Sequence, residues 1–176
     1  LHRPNVTQQQ VMDKDGQRLI DRIESSLRQD PDVIGISEIR SESVAEMAIR
    51  TALTGHMIVS TMHTNDAISS VTRLNDLKIP LVTLSKKNLL RGIMAQRLIP
   101  KLCPHCKTAQ FKHPQFPRER FGNVHLKNEN GCEHCYFRGT KGRVIIAELI
   151  HIDAPARKFI LEDRFEDWEA ALKKQG

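Results

Sequence analysis

Apolar residues recur every four positions at Leu19, Ile23 and Leu27, behind Asp13 and Asp15, a spacing that predicts an amphipathic helix from Lys14 to Gln29 stopped by Asp30-Pro31. The period then changes. Val33-Ile34-Gly35-Ile36 is a short apolar run between turn residues and the charged pair Glu38 and Arg40, and it predicts a buried central strand. Ser43 and Glu46 stand at capping-box spacing, and Ala45, Ala48, Ile49 and Ala52 form the packing face of a second helix that Gly55 ends. His56 to Thr61 predicts a second buried strand, followed by an N-cap at Thr64, Asn65 or Asp66 and a helix to about Leu77. Pro80 opens another helix, with Leu81, Leu84, Leu89 and Leu90 on its apolar side and Gly92 at its end. After a stretch of different composition, Gly142 to Ile150 returns as an apolar strand, and Ala154 to Lys174 predicts two short helices presenting Phe159, Ile160, Trp168 and Leu172. Helical and strand periods thus alternate, the layout of an α/β fold. In open parallel sheets ligands bind beyond the carboxyl ends of the strands, where Glu38, Arg40, His63 and Thr64 fall.

Composition narrows this picture. With 176 residues, 39% hydrophobic and 27% charged, the chain suits one globular domain or a domain with a small appendage, and collagen-like or wholly disordered polymers are excluded. No apolar run approaches the roughly 18 residues of a membrane span. The chain starts at Leu1 without a basic and apolar leader, which reads as an excised piece of a cytosolic protein. Lys and Arg outnumber Asp and Glu by 27 to 21, giving +6, a balance that suits an anionic partner. Aromatic residues are only 5% of the chain and the basic residues form no dense block, so a base-stacking surface has little to build on.

Cys103, Cys106, Cys132 and Cys135 form two CxxC pairs separated by 25 residues, the pattern by which two knuckles supply a tetrahedral zinc site. The residues from Cys103 to Cys135 are rich in His, Pro, Lys and Asn and cannot form a core unaided, so a bound ion would replace the missing burial. Four protein ligands leave no position for a water nucleophile, which makes such a zinc structural. The rival readings are a pair of disulfides, which a cytosolic setting disfavours, and a redox CxxC, which a lone pair would suit better. His105 and His134, inside the CxxC units, are alternative ligands or outer neighbours.

Two further segments carry a family resemblance. LRQDPDVIGISEIR at Leu27 to Arg40 and TALTGHMIVSTMHTNDA at Thr51 to Ala67 resemble the Walker B element and histidine box of the secretion and pilus assembly ATPases, RecA-like P-loop motors of type II secretion and type IV pilus biogenesis. AQRLIPKLCPHC at Ala95 to Cys106, CEHC at Cys132 to Cys135 and GTKGRVIIAELI at Gly139 to Ile150 extend the likeness over nearly the whole chain from Val6. The resemblance implies a partial RecA-like sheet flanked by helices, with residues 1–100 as the carboxyl-terminal part of the ATPase core. It implies a tetracysteine zinc lobe at 101–138, and a returning strand with terminal helices at 139–176. It assigns Glu38 as the catalytic glutamate that orients the attacking water and helps hold magnesium, with Arg40, His63 and Thr64 in nucleotide binding. His56 matches the family's first histidine and is the more structural of the two.

The same resemblance implies ATP and magnesium as cofactors of the complete parent, beside structural zinc. It implies a homo-hexamer on the cytoplasmic face of the inner membrane, coupled to a membrane platform protein, with no nucleic acid partner. The chain contains no GxxxxGK[ST] phosphate loop, which the family carries upstream of these motifs, so the piece alone is expected to be inactive, as a monomer or a dimer. Ser37, Ser41 and Ser43 stand where the family generally has Gly, Asp and an acidic residue. The alternative reading is a zinc-ribbon nucleic-acid-binding or protein-interaction module.

Overall fold

Strand β1, Val33–Ile36, and strand β2, Met57–Ser60, run parallel, with Val33 opposite Met57 and Ile36 opposite Ser60. They are joined through helix α2, Glu42–Leu53, and preceded by helix α1, Gln17–Leu27, which packs on α2. This is a computed structural model, and it describes residues 5–11, 16–110 and 116–175. Lys14 and the acidic residues Asp13 and Asp15 lie outside the described residues, and α1 ends at Leu27, ahead of the expected Gln29.

The strands expected to be buried are covered on one face only. Ile34 and Ile36 pack with Ile23 of α1 and with Val44, Met47 and Ala48 of α2. Val33, Met57 and Val59, by contrast, are about half exposed. The reason is geometric: alternate side chains of a strand point to opposite faces, and α1 and α2 supply apolar surface to one of them.

The cap of α2 also differs from the expectation. Ser41, in an extended conformation, accepts from the amide of Val44 at 3.4 Å, so the cap lies two residues before Ser43, whose hydroxyl sits 3.1 Å from that of Ser41. Gly55 takes a φ of 103°, a left-handed value that ends the helix where a side chain would be strained. Of the three candidates ahead of helix α3, Ile68–Asp76, it is Asp66 whose carboxylate accepts from the amide of Ser69 at 2.7 Å.

The helix expected from Pro80 to Gly92 is a single turn, α4, Leu81–Leu84. Asn88 adopts a φ of 67°, which no helix tolerates, and Gly92 instead opens an 11-residue strand, β3, Gly92–Leu102. Strand β3 pairs with β6, Thr140–His151. Met94, Ala95, Gln96, Arg97 and Leu98 are good helix formers, and pairing with a long partner strand overrides that preference.

The chain divides into two units, one of residues 1–95 and 149–176, the other of residues 96–148. In the first, α3 and α4 join helix α6, Ala154–Leu161, and helix α7, Phe165–Gln175, around a core in which Val71, Leu84, Ile160 and Trp168 are buried. Asp153 caps α6 by accepting from the amide of Ala156 at 2.9 Å. In the second unit, β4, Thr108–Gln110, pairs antiparallel with β5, Val124–Leu126, and one helical turn, α5, Arg118–Phe121, lies between them in sequence. Among the described residues, the only buried apolar side chains of this unit are Cys103 and Cys135.

Candidate functional site

Parallel pairing in register sets the carboxyl ends of β1 and β2 side by side, at Ile36 and Ser60. The segments that continue from them are stitched together. The Thr61 hydroxyl donates to the carbonyl of Ser37 at 2.6 Å, and the amide of Ile39 donates to the carbonyl of Thr61 at 3.1 Å. Glu38 is thus held between two anchored neighbours. Its carboxylate lies 2.6 Å from the Arg40 guanidinium and 3.3 Å from Nε2 of His63. Residues 25 positions apart in the chain therefore meet at one strand edge.

The three side chains differ in freedom. Glu38 is 16% exposed, whereas Arg40 and His63 are 77% and 88% exposed, so the carboxylate is fixed and its two partners are able to turn toward an anion arriving from solvent. The hydrogen bond from Arg40, opposed in part by burial and aided by the charges of Arg40 and His63, holds the Glu38 carboxyl below the usual carboxylate range. It is ionised at neutral pH. A carboxylate so stabilised is a weak base, better suited to accept a hydrogen bond from a water or a metal-bound water than to remove a proton from a distant group.

Thr64 is differently engaged. Its hydroxyl donates to the carbonyl of Asp66 at 3.1 Å and lies 3.0 Å from the hydroxyl of Ser70, tying the segment after His63 to the first turn of α3. His56, at the entry to β2, has Nδ1 3.3 Å from the Thr54 hydroxyl at the end of α2. Thr61 is the residue that the sequence pattern did not single out; its only signal is a hydroxyl at a strand end. Thr61→Val keeps the shape and removes the bond to Ser37, and it is expected to cost roughly 0.5–1.5 kcal/mol of stability. The check is a lower urea midpoint at unchanged slope; an unmoved midpoint would show that the bond contributes nothing.

The second cluster belongs to residues 96–148. The sulfurs of Cys103, Cys106, Cys132 and Cys135 all lie within 4.8 Å of one another. Cys103 to Cys132, Cys106 to Cys135 and Cys132 to Cys135 are each 3.8 Å. All four cysteines are free thiols, far beyond the ~2.05 Å of a disulfide. A tetrahedral ion with bonds of about 2.3 Å to sulfur spaces its ligands about 3.8 Å apart, so the donor set has the right dimensions.

Its electrostatics agree with that fit. Burial and the neighbouring sulfurs push Cys106 up to about 12. Burial acts the same way on Cys135 but is outweighed by donation from the amides of Cys132 and Gly139, each 3.2 Å away, which bring it down to about 6. Four sulfurs this close cannot all ionise without a compensating cation. The rings of His105 and His134 stack on each other at 4.1 Å, and neither joins the four-sulfur group.

Comparison with known proteins gives concordant results. A family profile described as "Type II/IV secretion system protein" matches residues 1–176. The type IV pilus assembly ATPase TfpB of Acinetobacter baylyi is 40% identical over 170 residues, covering 89% of this chain and 28% of that protein. The type II secretion system ATPase E of Vibrio cholerae is 38% identical over 152 residues, covering 84% of this chain and 29% of the relative. Among solved structures, the pilus retraction motor PilT with bound ADP is similar with a TM-score of 0.62 at 27% identity, over 92% of this chain and 37% of that one. The chain thus spans under a third of the length of these two relatives.

Proposed function

Because the chain belongs to the type II/IV secretion system protein family, we propose that it forms the water-positioning side of a nucleotide site in an ATPase that powers type IV pilus assembly or type II protein secretion. The meeting of Glu38, Arg40 and His63 beyond two parallel strand ends is the observation that carries this reading. ATP and magnesium, when bound, supply the electrophilic phosphorus and the charge compensation for its transfer. Glu38 accepts a hydrogen bond from the attacking water and fixes its direction. Arg40 and His63 leave the carboxylate to donate to phosphate oxygens, a move their exposure permits. Thr64 supports that contact by holding the segment that carries His63. The phosphate loop comes from a part of the parent protein outside this sequence.

The four cysteines hold a structural zinc ion, with all four positions of the tetrahedron filled. In the parent, the chain works within a homo-hexamer at the cytoplasmic face of the inner membrane, coupled to a membrane platform protein. No helix among the described residues is long and apolar enough to cross a membrane.

The test is a comparison of the isolated 176-residue chain with the same chain extended to include a phosphate loop. Magnesium-dependent ATP hydrolysis is expected from the extended protein and not from the isolated chain. Turnover by the isolated chain, surviving removal of contaminants, or none from a folded extended protein, would refute the division of labour.

A further inference from the structure

The net charge of the chain is unevenly placed. Residues 96–148 contain ten Lys and Arg against four Asp and Glu, while the remainder is balanced at 17 of each, so the whole +6 resides in the second unit. Four thiolates around a divalent ion would still leave that unit positive. Within it lies a pocket of about 680 Å³ whose wall carries Lys101, Lys107, Lys141 and His125. Its apolar lining includes Ile99 and Val144, which are 39% and 43% exposed. No carboxylate lines it, and among the described residues none of the three lysines forms an ion pair. Three uncompensated ammonium groups around an apolar floor repel one another unless an anion enters between them.

We propose that this pocket is a docking site for an acidic peptide segment, contributed by another protein, in which carboxylates alternate with apolar side chains. Charge complementarity selects the carboxylates, and the exposed Ile99 and Val144 select the apolar residues between them. A nucleic acid would satisfy the lysines but would find no Phe, Tyr or Trp in the lining on which to stack a base. A lipid surface is flat, whereas the lysines here surround a concavity. Nothing in the proposal depends on the nucleotide reading, since the pocket is built entirely from residues 96–148.

The experiment uses the zinc-loaded chain and a short fluorescein-labelled peptide of Glu and Leu spaced by Ser, followed by fluorescence anisotropy. Binding is expected to weaken as salt rises, because a Debye length of about 10 Å at 0.1 M screens these exposed charges. It is expected to fall about tenfold in the Lys101→Gln, Lys107→Gln, Lys141→Gln triple variant, and by a comparable factor when Gln replaces Glu in the peptide. The Lys86→Gln, Lys87→Gln variant, which removes exposed charge from the first unit, should bind as the parent does. Zinc content and melting temperature report whether the triple variant is folded, and Val144→Ser, which alters only the apolar floor, gives a second and charge-neutral loss. The proposal falls if the peptide fails to bind, if the Gln peptide binds equally well, or if a correctly folded triple variant and Val144→Ser both retain full affinity. It also falls if phosphatidylglycerol vesicles or an oligothymidine bind the pocket more tightly than the peptide, which would make the site one for lipid or nucleic acid.

Discussion

Removing metal from the Cys103, Cys106, Cys132 and Cys135 set is expected to unfold residues 96–148 while the helices and strands of the first unit stay in place. Besides most of the paired strands β3 and β6, the second unit has two three-residue strands and short helical turns, and among its described residues no buried apolar side chains beyond two of the cysteines themselves. A segment of that size with so little burial does not outweigh its conformational entropy without a staple. Structural zinc contributes about 10–16 kcal/mol in comparable small peptides at neutral pH, far above anything else available here. The first unit, by contrast, keeps its own core around Val71, Leu84, Ile160 and Trp168. Hydrogen exchange separates the two: after chelation, amides of Thr108–Gln110 and Val124–Leu126 should lose protection while those of Val33–Ile36 retain it. Cys135→Ser, at a fully buried ligand position, should reproduce the pattern and abolish stoichiometric zinc. Acidification should act in the same direction, because protons compete with the metal for thiolates and a thiol pushed up to about 12, as at Cys106, is protonated at neutral pH unless a cation holds it ionised. Equal protection of both amide sets in the metal-free chain would mean that the four sulfurs are not a structural metal site.

How far the sequence discloses this fold depends on whether the relevant information is local. The apolar spacing of Leu19, Ile23 and Leu27 is local, and α1 follows from it; Gly55 ends α2 for an equally local reason. The cap of α2 is a closer matter, because Ser41 and Ser43 both have hydroxyls and only the extended backbone at Ser41 aims one of them at the Val44 amide. Strand β3 is not local at all. Its residues prefer helix, and the strand exists because β6 offers a partner about 50 residues away. The one-sided exposure of β1 and β2 is likewise invisible in an apolar run, which records that residues are hydrophobic but not which face a helix covers. At the candidate site, Glu38 and His63 are separately visible as polar residues after strands. Their meeting depends on the parallel register and on the Thr61 bond to Ser37, neither of which has a spacing signature. The charge asymmetry shows the same limit: +6 spread along a chain looks diffuse until the division at residues 96 and 148 gathers it.

Glu38→Gln, introduced into the chain extended with its phosphate loop, is expected to lower kcat by about 10²–10³ while leaving nucleotide affinity within a few fold. The substitution keeps the length and one carbonyl oxygen, so the segment between β1 and α2 has no steric reason to move. What changes is charge. An amide cannot draw Arg40 to 2.6 Å or attract a protonated His63, and it presents a weaker acceptor to a water. A loss confined to kcat marks an interaction made at the reacting centre, whereas a parallel loss of affinity would mark a merely structural ion pair. His63→Ala tests the partner side: it should also reduce kcat, and combined with Glu38→Gln it should cost less than the product of the two effects, because the groups act on one another at 3.3 Å. The acid dependence supplies a separate readout. The folded-state pKa of Glu38 is depressed, so its contribution to stability is fully present above the ordinary carboxylate value and is lost only as pH falls through the lower folded value. Glu38→Gln should therefore remove part of the acid sensitivity of unfolding below that range and none of it near neutrality. If the variant turns over like the wild type, or if the two substitutions multiply independently, the carboxylate and the imidazole do not share a catalytic cleft and the nucleotide assignment is wrong.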